Sequence, residues 1–254
     1  MSGKYSGILL ASDFDSTLAA GGCVSEENIR ALQAFAAEGG TFLPATGRAP
    51  AFAIERCAGI PFDRMIALNG TLIWDVKHAC PLWRRPMNAS ECRVAWEAFR
   101  MFRPFIDNLR VHHLQTSVPG DAHTGGEILA ALREKPFKVV YGMDTEPHAL
   151  FMEERVRAVY GDTVAVDRSW ATGVEIHARD SGKAEALRAL RQTDRSIHTV
   201  VAVGDYENDV SMIRYADIGY AVANALPTVR QVADRIAPAC TENAIAYIIE
   251  ELGK

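Results

Sequence analysis

The chain has 254 residues, 48% of them hydrophobic, and a formal net charge of −5. That length supports one large or two small domains with a proper core. The mild acidity argues against nucleic acid as the main partner, which leaves a basic patch on its binders, and no apolar run approaches the roughly 18 residues that span a bilayer. The five cysteines (Cys23, Cys57, Cys80, Cys92, Cys240) are scattered and form no C-x-x-C pair, so they read as reduced thiols of a cytoplasmic protein. Residues 1–5 lead straight into a strand, an arrangement that gives a secretory apolar segment no room.

The apolar run Ile8-Leu9-Leu10-Ala11 suits a strand buried on both faces of a parallel sheet. Asp13 and Asp15 follow at the point where it ends, at the carboxyl edge where open α/β sheets bind ligands. Ionised groups beside a buried strand need partners. A hard divalent cation would provide one, although the same two acids also suit a plain turn. Ser25 reads as a helix cap with Glu26 and Glu27 in the first turn, and Ile29, Leu32, Phe35 and Ala36 form a helical stripe that Gly39-Gly40 ends. A strand at 41–45 leads to Thr46-Gly47-Arg48, a helix covers 49–58, and a strand at 65–68 leads to Asn69-Gly70, with a locally paired strand at 71–76. The alternation of strand and helix predicts right-handed crossovers and a parallel sheet.

The pattern changes between Pro81 and Ala178. Helices at 91–102 and 147–160 mix with strands near 111–114, 137–141, 164–167 and 174–177, and a polar loop covers 119–126. This mixture fits a separate small α+β domain at 81–179, bordered by Pro81, Pro86 and the Asp180-Ser181-Gly182 turn. The α/β alternation then resumes: a helix at 183–190, a strand at 199–203 ending in Gly204-Asp205-Tyr206-Glu207-Asn208-Asp209, a helix at 210–215, a strand at 218–222, and helices at 226–233 and 244–252. The fold class is therefore α/β, a doubly wound parallel sheet built from 1–80 and 180–254 and split by an inserted domain.

Four polar clusters follow strands or open a helix: Asp13/Asp15, Thr46/Gly47/Arg48, Lys183 and Asp205/Asn208/Asp209. Together they offer acids for a metal and hydroxyl, amide and ammonium groups for an anion. Phosphoryl transfer needs that mixture, and a carboxylate can serve as its nucleophile. Asp13-Phe14-Asp15-Ser16-Thr17-Leu18 resembles the D-x-D-x-T-L signature of the haloacid dehalogenase superfamily. Gly204-Asp205-Tyr206-Glu207-Asn208-Asp209 with Met212 is similar to its G-D-x-x-N-D-x-x-M signature, Thr46-Gly47-Arg48 to its threonine motif, and Lys183 to its lysine motif. Asn69-Gly70 and Ala221-Val222-Ala223-Asn224-Ala225 further resemble the Cof-type branch. Ser16 and Ala223 depart from the pattern, standing where glycine is common.

The resemblance implies a Mg²⁺-dependent phosphatase acting on a small phosphorylated metabolite, a sugar phosphate in particular, through an aspartyl-phosphate. The long interval between Arg48 and Lys183 implies a class II cap, and its mixed pattern subclass B; the cap would close over the core and select the leaving group. Asp13 would be the nucleophile and Asp15 the general acid and base. Asp13, Asp15 (through its carbonyl) and Asp205 would hold Mg²⁺; Thr46, Gly47, Arg48, Lys183 and Asn208 would bind substrate and phosphate. Asp209 would orient Lys183 or a metal-bound water, and Thr17 would brace the Asp15 loop.

His177 and Arg179 lie where the chain returns from the insert, a placement compatible with the cleft. His112, His113 and His123 lack metal-ligand spacing and read as surface residues of the insert. A phosphomutase of the same architecture is the nearest alternative. Beyond it stand a phospho-acceptor domain, typically much shorter and without an insert, and a silent ligand-binding relative, against which the intact acids argue. Composition favours neither monomer nor dimer.

Overall fold

The apolar run forms the strand Ile8–Ser12, which lies between Thr41–Pro44 and Thr199–Gly204 and runs parallel to both. Ile218–Val222 and Arg235–Ala237 extend the sheet in the same direction beyond Thr199–Gly204. This sheet belongs to the first of two units in the computed structural model, Met1–Trp83 with Lys183–Lys254; the second is Arg84–Gly182. The structure describes residues 3–114, 116–120 and 125–254.

Side chains alternate along these strands as the pleat requires. Leu10, Phe42, Val201 and Val203 pack with Leu32 and Phe35 of the helix Glu26–Ala37 and with Ile245 and Ile248 of Ala244–Leu252. Leu9, Ala11, Leu43, Val200 and Ala202 pack with Ala186, Leu187 and Leu190 of the helix Lys183–Thr193. Each fully buried Leu or Val side chain contributes about 1.5–3 kcal/mol. Burial on both faces explains why the strands read as unbroken apolar runs. Ser25 caps Glu26–Ala37 by accepting from the Asn28 amide, with Glu26 and Glu27 in the first turn.

Some elements differ from expectation. The strand Arg64–Ala67 adjoins the main sheet through the Ala45–Ile66 bridge and pairs antiparallel with Leu72–Asp75. A further strand, Cys80–Arg84, adjoins Leu72–Asp75 although it contains Pro81, which had read as a border. Proline is tolerated at the edge of a sheet, where no ladder donor is needed. The helix expected at 226–233 is confined to Pro227–Arg230, and the short edge strand Arg235–Ala237 follows it.

The second unit contains a five-stranded sheet in the order Val164–Asp167, Gly173–Ala178, Lys138–Met143, Ile106–His112 and Ser117–Gly120, with antiparallel neighbours. Val111, Val139, Tyr141 and Ile176 pack on the helices Ala89–Phe102, Gly125–Arg133 and Glu146–Tyr160. Asn88 and Glu91 form a capping box on the first of these helices. The loop expected at 119–126 begins inside the strand Ser117–Gly120, and His123 lies outside the described residues. His112 and His113 are half-buried rather than on the surface. His177 is buried, its ring held between Ser181 Oγ (2.8 Å) and Asp167 Oδ2 (2.9 Å).

Candidate active site

The site lies at the carboxyl edge of the parallel sheet. The Asp13 amide donates to the Val203 carbonyl (3.0 Å), so Asp13 continues the ladder for one bond past Ile8–Ser12 and sits next to the end of Thr199–Gly204. The chain goes to one side of Ile8–Ser12 to make Thr41–Pro44 and returns much later on the other side, which makes this edge a topological switch point.

Lys183 opens its helix with a side chain only 1% exposed. Its Nζ donates to Asp13 Oδ1 (2.7 Å) and to Asp209 Oδ1 (2.6 Å). Asp209 Oδ2 accepts from the amides of Asp205 (3.0 Å) and Tyr206 (3.2 Å), so both oxygens of this fully buried carboxylate are engaged. Asp205 Oδ1 accepts from the Thr17 hydroxyl (2.8 Å), joining the 13–19 loop to the end of the neighbouring strand.

Asp13, Asp205 and Asp209 each present a carboxylate oxygen within 4.8 Å of the others. Burial raises Asp13 well above the usual carboxylate range, Asp209 and Asp205 add to this, and Lys183 opposes it. Burial, then Asp209, push Asp205 up to about 6. For Lys183, burial works to lower its pKa, but Asp13 and Asp209 outweigh that and hold it above its ordinary value. When all three carboxyls are ionised, one ammonium leaves two negative charges uncompensated, a deficit that a divalent cation would fill with the oxygen ligands such ions prefer.

The threonine cluster lies beside this group. Thr46 is buried after Thr41–Pro44; its amide donates to the Ile66 carbonyl (2.9 Å), and its Oγ1 accepts from the Arg48 amide (3.1 Å). A Cβ on Gly47 would stand 2.9 Å from Asn69 Oδ1, so the close approach requires glycine there. Asn69 Oδ1 in turn accepts from Asn208 Nδ2 (3.0 Å), and Asn69 adopts φ 57°, a left-handed conformation that asparagine tolerates. Both asparagine side chains are buried.

Asp15 stands apart from the three clustered carboxylates. Its oxygens accept from Arg48 Nε (3.1 Å) and an Arg48 terminal nitrogen (3.3 Å), and the Arg48 guanidinium lies 4.6 Å from the Phe52 ring centre. The two side chains are 46% and 52% exposed, and an ion pair that exposed exchanges readily and stabilises little. The structure thus brings Asp13, Lys183, Asp205 and Asp209 into one cluster, links Gly47 to Asn208 through Asn69, and pairs Asp15 with Arg48. Sequence reasoning singled out Asn69-Gly70 by its resemblance to the Cof-type branch; the Asn69–Asn208 bond itself has no local signal, since its partners are 139 positions apart.

Comparison with known proteins gives the family and the fold. Residues 10–249 match the family model described as haloacid dehalogenase-like hydrolase. A 5-amino-6-(5-phospho-D-ribitylamino)uracil phosphatase of Bacillus subtilis is 24% identical over 95% of this chain and 94% of its own. A phosphatase of the same superfamily from Bacteroides thetaiotaomicron has a similar structure, with a TM-score of 0.81 at 22% identity over 96% of this chain and 94% of that one. A subclass IIB sugar phosphatase, BT4131, gives 0.79 at 19% identity over 96% and 98%.

Proposed function

This chain belongs to the haloacid dehalogenase-like hydrolases and is a phosphoric monoester hydrolase, and on that premise we propose that it releases phosphate from a small sugar or polyol phosphate with Mg²⁺ at its acid cluster. The observation that carries this reading is the buried Asp13–Lys183–Asp209 chain at the switch point, next to Asp205. A buried carboxylate and an ammonium with hydrogen-bonding capacity to spare suit attack on a phosphoryl group whose oxygens must be neutralised. The sugar or polyol phosphate is supported by the relatives: one acts on a phospho-ribityl compound by name, and one structural neighbour is a sugar phosphatase.

In this mechanism an oxygen of Asp13 attacks phosphorus and the bond to the leaving alkoxide breaks. Asp15 gives its proton to that alkoxide, then takes one from the water that attacks the aspartyl-phosphate, so phosphate leaves and both acids return to their starting states. Its half-exposed pairing with Arg48 lets the Asp15 side chain exchange partners. Thr46, the Gly47 amide, Lys183 and Asn208 bind phosphate oxygens, with Arg48 beside the substrate. Asp13, Asp205 and the Asp15 carbonyl would hold Mg²⁺, which supplies positive charge against the phosphoryl oxygens. Asp209, with both oxygens engaged, orients Lys183 rather than acting as a ligand. We place the enzyme in the cytoplasm because all five cysteines are free thiols.

The test is phosphate release from a panel of sugar and polyol phosphates with Mg²⁺ and with chelator. Turnover requires Mg²⁺, Asp13→Asn lowers it by on the order of 10⁴ or more, and the variant melts like the parent. Acid trapping and peptide mapping place the phosphoryl group on Asp13, and retained phosphate release by Asp13→Asn would end this reading. Isomerised sugar phosphate without free phosphate would identify a mutase.

A further inference from the structure

Asn224 follows the strand Ile218–Val222 and has no role in the chemistry above. Its Nδ2 donates to the Ser16 carbonyl (2.8 Å), 208 positions away in sequence, and its Oδ1 accepts from the Cys240 amide (2.8 Å). With a donor and an acceptor both used, the amide has one orientation.

The carbonyl it holds is conformationally costly. Ser16 stands at φ 62°, in the left-handed region that side chains other than glycine disfavour. Such a conformation persists only where its surroundings over-determine it, and it concentrates at functional sites. Two bonds do this for Ser16. Its amide donates to the Ala19 carbonyl (2.9 Å), beside the Asp15–Ala19 bridge, and its carbonyl accepts from Asn224. The peptide so held has Asp15 immediately before it and Thr17, the donor to Asp205, immediately after it.

We infer that Asn224 is a positioning residue: it holds the Ser16 peptide in its left-handed turn and thereby aims Asp15 for proton transfer. The inference rests on the phosphatase reading and on Asp15 as general acid. Asn224 and Ser16 are both exposed, so loss of their bond acts on this loop and leaves the buried core intact. The consequence is a leaving-group effect. The alkoxide of a sugar phosphate needs a proton as it departs, whereas p-nitrophenolate departs without one.

The experiment measures kcat/KM for a sugar phosphate and for p-nitrophenyl phosphate, with Mg²⁺, in the parent, N224A, N224D, S16G and S16G/N224A, together with each thermal midpoint. N224A is expected to lose about tenfold more on the sugar phosphate than on the aryl ester. N224D shows the same bias, because it retains an acceptor for the Cys240 amide but turns a carboxylate oxygen toward the Ser16 carbonyl. S16G restores most of the loss in N224A, since glycine takes this φ without strain. An equal loss on both esters, a parent-like N224D, or no recovery in S16G/N224A overturns the inference alone. A parent inactive on both esters overturns the phosphatase reading, and the inference with it. If N224A does not fold, N224D with and without S16G makes the same comparison.

Discussion

Lys183 Nζ lies 2.7 Å from Asp13 Oδ1, although the two residues are 170 positions apart. Both are buried, and the same ammonium reaches Asp209 at 2.6 Å. The lysine proposed above to bind phosphate is therefore also the only counter-charge in direct contact with these two carboxylates among the described residues. Lys183→Met would strand both of them. It is expected to lower stability by about 3–5 kcal/mol and kcat by about 10²–10³. Mg²⁺ then raises the melting midpoint of the variant more than that of the parent. Calorimetry with and without the ion checks this, and equal Mg²⁺ shifts in the two proteins count against it.

Thr17 gives a gentler test of the same cluster. Its hydroxyl donates to Asp205 Oδ1, and it is fully buried. Thr17→Val keeps the shape and deletes the donor, so Asp205 loses its orientation. Partners of this kind are worth about 10–100-fold in metal affinity, and Mg²⁺ titration of the variant should show a weakening of that order while Thr17→Ser stays near the parent. An unchanged Mg²⁺ requirement in Thr17→Val would show that the bond is structural only.

Gly47 tests the threonine cluster. An added methyl would stand 2.9 Å from Asn69 Oδ1, the atom that accepts from Asn208. Gly47→Ala is therefore expected to disturb the Asn69–Asn208 pair and raise KM for the phosphate ester about tenfold, the scale of a lost hydrogen bond to a charged group. Inhibition by inorganic phosphate should weaken in parallel. A variant with a raised KM but unchanged phosphate inhibition would place the effect outside the phosphate site.

His112 provides a pH signature in the second unit. Burial, with Lys138, Arg110 and His113 adding positive charge nearby, pushes its pKa from 6.5 down to about 3. The unfolded chain therefore binds this proton more readily than the folded one between those values, and stability rises with pH across the window. The contribution is complete above about 6.5 and is lost as the pH falls toward 3. The melting midpoint of the parent, measured across that range, should fall relative to that of His112→Gln as the pH drops. Parallel curves would show that His112 protonates freely in the folded state.

Much of the site was legible in the chain because its signals are local. An apolar run followed by polar residues marks a strand end whether or not its neighbours are known, which is how Asp13, Thr46 and Asp205 were singled out. The order of the motifs then attached Lys183 to them. Less local features were missed. Arg235–Ala237 has only three residues, too few for a period to show, and Cys80–Arg84 contains a proline that reads as a break.

From Ile8 to Leu18 the sequence alone determined a buried strand ending in two acids, because alternation and burial act between neighbouring residues. Ser16 was already visible as a departure from glycine. Only the tertiary structure decided how the two acids differ. Parallel pairing with Thr199–Gly204 places Asp13 against Lys183, Asp205 and Asp209, while the left-handed Ser16 beside Asp15 separates the second carboxylate and leaves it with Arg48. The bonds that enforce this, Lys183 to Asp13 and Asn224 to Ser16, join residues 170 and 208 positions apart. Partners so distant meet only when pairing between strands far apart in the chain brings them together.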